Sequence, residues 1–111
     1  MTVLFFKVED VLNDASTEAV APNGEKGIAS DKVKMLRDTL QSLEPGTQLV
    51  LYGDWAEDWN FDESKCTPNG KYLIKKLDRK GLHIMDKAPG KEDPIIEYLK
   101  THHVDKHTIL A

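Results

Sequence analysis

Four short apolar segments are spaced along the chain, and each predicts a β-strand. They span residues 3–8, 48–52, 82–85 and 108–110. The first is rich in β-branched and aromatic residues, is too short for a helix, and is continuously apolar over residues 3–6. It therefore predicts a strand that is buried on both faces of a sheet.

Between these segments, apolar residues recur at intervals of three and four, which is the spacing of an amphipathic helix. The first helix follows a cap at Ser30-Asp31 and ends at Pro45-Gly46, and the second spans residues 70–80. The third begins at Asp93-Pro94, with proline in the first helical position. The resulting β-α-β-α-β-α-β order predicts an α/β fold in which helices cover both faces of a parallel sheet.

Two segments show neither the strand pattern nor the helix pattern of apolar residues. Residues 14–29 are mostly small and polar and predict a loop or flap, whereas residues 54–69 form an acidic and aromatic insertion. Trp55 and Trp59 lie in this insertion. We expect them to pack in the core or against a pocket wall, and the alternative is a stacking platform for a base.

Length and composition narrow the class of protein. A chain of 111 residues fits one domain, residues 1–111, with 40% hydrophobic and 31% charged residues. The net charge of −4 argues against a protein that binds nucleic-acid backbones. Cys66 is the single cysteine and no apolar stretch is long enough to span a membrane, so we expect a soluble, cytoplasmic protein.

Polar side chains follow the predicted strands. Lys7, Glu9 and Asp10 come after the first strand, and Gly53 and Asp54 after the second. Because ligands of open parallel sheets bind outside the carboxyl ends of the strands, this edge is the predicted site. Asp86, which follows the third strand, is expected at the same edge.

The segment L-F-F-K-V-E-D-V-L-N, residues 4–13, resembles the opening motif D-x-D-G-V-L-N of the haloacid-dehalogenase-like (HAD) phosphohydrolases. Over nearly its whole length the chain is similar to a small HAD domain of the RNA-repair phosphatase group. The resemblance implies a three-layer, Rossmann-like core whose four parallel strands lie in the order 3-2-1-4. It also implies a phosphate pocket formed by Lys7, Glu9, Asp10, Asn13, Gly53, Asp54 and Lys91.

Several positions depart from the family pattern. Lys7 stands where the resemblance implies a nucleophilic aspartate, and Glu9 stands at the acid/base position. Gly53 occupies the place of a phosphate-binding hydroxyl, whereas Lys91 matches the cation before the last helix. The segment at residues 107–111 is similar to the last strand, without the acidic pair that follows it in the family.

These departures predict a catalytically degenerate domain that acts as a binding or interaction module. A protonated lysine can neither form an acyl-phosphate nor bind Mg²⁺. We therefore expect no cofactor and no metal site. The alternative is a weak metal-dependent phosphohydrolase in which Glu9 or Asp10 acts with Mg²⁺ on a phosphomonoester. Expected partners are a phosphorylated small molecule or a protein, including a second copy bound through the C-terminal edge strand, and neither a membrane nor nucleic acid.

Two hypotheses concern Lys7. Its ammonium group is expected to pair with Glu9, Asp10 or Asp54, since opposite charges at one rim stabilise each other. The competing interpretation is that Lys7 extends to solvent from a decayed site. The second hypothesis is that Lys7 and Lys91 together attract an anion. A metal site formed by His102, His103 and His107 is a weaker hypothesis, because their spacing matches no metal motif.

Overall fold

The computed structural model describes residues 1–111 and contains four strands and three α-helices in alternation. The strands pair in parallel in the order β3-β2-β1-β4, which confirms the predicted sheet. The bounds are β1 Thr2–Phe6, α1 Ser30–Ser42, β2 Gln48–Leu51, α2 Pro68–Asp78, β3 Ile84–Lys87, α3 Pro94–Thr101 and β4 Lys106–Ile109.

The central strand β1 is covered on both faces, as its continuous apolar sequence predicts. Leu4 and Phe6 belong to the larger core cluster, to which α1 and α2 contribute apolar side chains. Val3 and Phe5 point to the opposite face and pack in a smaller cluster with Tyr98 of α3. The Phe5 and Tyr98 rings meet edge to face, with centroids 5.6 Å apart. Helices therefore lie on both faces of the sheet.

Several element boundaries differ from the sequence predictions. Helix α2 begins at Pro68, because the Thr67 side chain accepts a hydrogen bond from the Gly70 amide and caps the helix. The predicted cap of α1 is wrong, since Ser30 is already helical and Ala29 takes the N-cap position without a side-chain hydrogen bond. Strand β3 begins at Ile84, two residues after its predicted start at Leu82. The Leu82 amide instead donates a hydrogen bond to the Leu77 carbonyl at the end of α2.

The two non-periodic segments are ordered by local contacts. Residues 14–29 form turns and a single antiparallel bridge between Val20 and Lys26. Residues 54–69 contain two short 3₁₀ helices, Asp54–Glu57 and Glu63–Lys65, followed by the start of α2. Trp55 and Trp59 are buried in the larger core cluster, so they pack in the core and offer no open stacking platform. None of the helices is both long and apolar enough to cross a membrane.

Candidate functional site

A cavity of about 720 Å³ opens at the carboxyl edge of the sheet. It brings together five of the seven residues that the resemblance implies for a pocket: Lys7, Glu9, Gly53, Asp54 and Lys91. Its size lies within the range of small-molecule sites. The other lining residues are Tyr52, Ala56, Glu57, Gly90 and Pro94.

Gly53 lets the ends of β1 and β2 approach each other at the floor of this cavity. Its backbone has φ +88° and ψ −170°, a conformation that residues other than glycine rarely adopt. A Cβ atom at this position would lie 2.8 Å from Oε2 of Glu9 and 3.1 Å from Cβ of Lys7. Glycine is therefore required here for backbone and packing reasons, independently of any bound ligand.

Asp10 and Asn13 do not line the cavity. Asp10 is exposed and has φ 64°, and its amide donates a hydrogen bond to Oδ1 of Asn13. Asn13 is buried, and its Nδ2 donates to the carbonyl of Gly27. These contacts give both residues a structural position in the turn that carries the chain from β1 toward residues 14–29.

The pKa of the Glu9 carboxyl group is shifted by its surroundings in the cavity. Burial raises the pKa of its carboxyl above the ordinary 4.5, and the negative charge of Asp54 adds to this effect. Backbone N–H groups of Glu9 and Trp55 and the charge of Lys7 act in the opposite direction. Oε1 is buried and has no hydrogen-bond partner. The carboxyl group is thus easier to protonate than a free glutamic acid.

The ion pair expected for Lys7 is absent. Eight ion pairs with N···O distances of 4.0 Å or less are present, and Lys7 takes part in none of them. Its charge acts on Glu9 only at longer range. The Cβ atom of Lys7 and the carboxylate of Glu9 both lie beside Gly53.

Tyr52 and Glu57 line the cavity although neither was among the predicted pocket residues, and Glu57 belongs to the acidic insertion that follows the second predicted strand. The Tyr52 hydroxyl donates a 2.7 Å hydrogen bond to the carbonyl of Leu110, which ties β2 to the segment after β4. Burial, and secondarily the charge of Glu9, raises the pKa of Tyr52. Glu57 follows Asp54 by three residues in the same 3₁₀ helix, and this spacing is the signal that could have identified it.

Asp86 does not belong to the cavity. Strand β3 continues through Asp86 to Lys87, and Oδ2 of Asp86 accepts a 2.7 Å hydrogen bond from the hydroxyl of Tyr98. The next residue, Lys87, donates from Nζ to the carbonyls of Ala56 at 2.9 Å and Trp59 at 2.7 Å. Lys87 therefore anchors the segment that forms one wall of the cavity.

The donor groups needed for a metal ion do not converge in this structure. No set of three or more His, Cys, Asp or Glu side chains is arranged to hold a metal ion, including the histidines near the end of α3. Mg²⁺ binds through several hard oxygen ligands, so the residues present do not fit the ion that the resemblance implies.

No protein-family model, no curated protein and no solved structure matches this chain.

Proposed function

We propose that this protein is a degenerate relative of the HAD phosphatases, and that its cavity binds the anionic group of a phosphorylated small molecule without hydrolysing it. The observation that carries this proposal is the presence of Lys7 and Lys91 in one cavity, neither of them paired with a carboxylate. Unpaired cations in a partly enclosed site attract anions.

The geometry around Lys7 supports the loss of phosphatase chemistry. Lys7 follows directly after β1, where the resembled motif carries its nucleophile, and its ammonium group cannot attack phosphorus while protonated. Asp10 supports the proposed ancestry, because its φ of 64° is the conformation that a glycine at this position of D-x-D-G adopts without strain. The proposed setting is the cytoplasm, where the free, buried thiol of Cys66 would stay reduced.

Binding of inorganic phosphate provides the first test. Heteronuclear NMR titration should shift the amide resonances of Lys7, Gly53 and Lys91, and both Lys7→Ala and Lys91→Ala should weaken binding. Lys34→Ala is the matched control, since Lys34 is an exposed lysine on α1, outside the cavity. Unchanged spectra at millimolar phosphate would contradict the proposal.

A weak phosphohydrolase is the second candidate, and the raised pKa of Glu9 favours it. A carboxyl group that holds its proton more tightly than usual is suited to act as a general acid. The assay is hydrolysis of p-nitrophenyl phosphate with and without Mg²⁺. We expect no turnover above background. Turnover that Glu9→Gln abolishes would replace the binding proposal with this candidate.

The C-terminal edge strand supports an additional interaction with a protein, including a second copy. Strand β4 pairs only with β1, so its outer edge carries unpaired backbone groups, and Ile109 is 44% exposed. Small-angle scattering over a concentration series tests this self-association. A constant monomer mass at millimolar protein would exclude pairing between copies.

A further inference from the structure

The cavity contains charges of both signs that are not neutralised by the protein. Lys7 and Lys91 supply two cations, and Glu9, Asp54 and Glu57 supply three carboxyl groups. None of these five side chains takes part in any of the eight ion pairs of the protein. Opposite charges therefore share one cavity of about 720 Å³ without forming an ion pair within 4.0 Å.

Lys7 and Glu9 carry opposite charges two residues apart in the segment after β1, whereas the other charges of the cavity come from separate segments. Lys91 lies in the loop between β3 and α3, whereas Asp54 and Glu57 belong to the 3₁₀ helix that follows β2. Lys87 holds this 3₁₀ segment in place through the carbonyl of Ala56, which is itself a lining residue. The acidic wall is thus fixed by the fold and is not a freely mobile loop.

A ligand with only negative charge would use this cavity poorly. A phosphate group near the two lysines would face three carboxyl groups of the same sign, and like charges at short range oppose binding. A ligand that also carries a cationic group removes this conflict, because its cation can approach Asp54 and Glu57 while its anion approaches the lysines.

We infer that the ligand is a small phosphomonoester that also carries an ammonium group. This inference rests on the proposed binding of a phosphorylated molecule in the same cavity and adds the chemical class of that molecule. The mixed charge of the lining residues carries it, since two lysines and three carboxyl groups line one cavity without a short ion pair among them.

The test compares two probes of nearly equal size, O-phosphoethanolamine and ethyl phosphate, by isothermal titration calorimetry at pH 7. We expect phosphoethanolamine to bind about two- to fivefold more tightly, the gain of one solvent-accessible ion pair. The double variant Asp54→Asn/Glu57→Gln should abolish this preference while ethyl phosphate binds at least as well as before. Glu18→Gln is the matched control, because Glu18 is an exposed acid outside the cavity.

The outcomes separate the inference from the function on which it rests. Equal affinity of the two phosphates, or a preference that survives in the double variant, would overturn the inference and leave phosphate binding intact. Failure of both phosphates to bind would overturn both. Thermal unfolding of each variant establishes that a lost preference reflects the removed charges and not a damaged fold.

Discussion

Replacing Gly53 with alanine should destabilise the protein far more than a glycine replacement at an open turn. Gly53 has φ +88° and ψ −170°, a region that is essentially restricted to glycine and costs other residues about 1 to 3 kcal/mol. The added methyl group also meets Oε2 of Glu9 at 2.8 Å and Cβ of Lys7 at 3.1 Å. Because the Glu9 carboxylate is the end of a flexible side chain and can move away, this overpacking lies at the low end of the usual range and costs about 1 kcal/mol.

The two costs can be separated within the same protein. Gly46 has nearly the same φ, +87°, but no atom lies within 4 Å of the position its Cβ would take. Gly46→Ala should therefore show only the backbone cost, about 1 to 2 kcal/mol. Gly53→Ala should lower the free energy of unfolding by about 2 to 4 kcal/mol in total.

The assay is urea unfolding followed by fluorescence of the two buried tryptophans and by circular dichroism. A double-mutant cycle of Gly53→Ala with Glu9→Ala measures the contact with the carboxylate, for which we expect a coupling of about 1 kcal/mol. The contact with Lys7 remains in both backgrounds, because its Cβ atom is fixed to the chain directly after β1. Equal destabilisation by Gly46→Ala and Gly53→Ala, together with zero coupling to Glu9, would refute this account of how the two strand ends meet.

Two further variants test the electrostatic account of the fold. Glu9→Gln should raise stability by about 1 kcal/mol at pH 7, because burial penalises the charge of this carboxylate and its Oε1 atom has no hydrogen-bond partner. Burial raises the pKa of Glu9 in the folded state, so the stability gained by Glu9→Gln should vanish below pH 4.5 and grow as the pH rises through the raised pKa. A stability gain that is independent of pH would contradict this account. Tyr98→Phe should cost about 1 kcal/mol in urea unfolding, because the buried Tyr98 hydroxyl donates to Asp86 at 2.7 Å. Burial also raises the pKa of Tyr98, so ultraviolet titration of the Tyr98→Phe variant should lack one tyrosine that ionises above the ordinary range. A titration curve identical to that of the parent protein would exclude this assignment.

Local sequence patterns were sufficient for the architecture. The continuous apolar run at residues 3–6 indicated a strand covered on both faces, and the structure buries all four of these side chains in two separate clusters. The alternation of strand and helix patterns was sufficient to predict a parallel sheet, because parallel neighbours need a crossover between them. The position of Lys7, Gly53 and Asp54 at one edge followed from the same rule.

Helix and strand boundaries depended on contacts that the patterns do not contain. The capping of α2 by Thr67 required the side chain to reach the Gly70 amide, and the late start of β3 followed from a hydrogen bond between Leu82 and Leu77. Both bonds join residues that are close in sequence, and Thr67 followed by Pro68 is a helix-start signal, but the apolar periodicity registers neither bond. Periodicity therefore located these elements and left their ends uncertain by about two residues, as is usual.

The amino-acid sequence by itself determined the α/β fold and the edge of the sheet at which polar side chains collect, since both follow from strand periodicity and chain direction. Only the tertiary structure decided which of those side chains face the cavity. Asp10 and Asn13 turn away because a positive φ and a hydrogen bond to Gly27 redirect the chain, whereas Tyr52 and Glu57 enter it. Side-chain direction after a strand depends on local dihedral angles and on partners that are distant in sequence, and neither is written in the hydrophobic pattern.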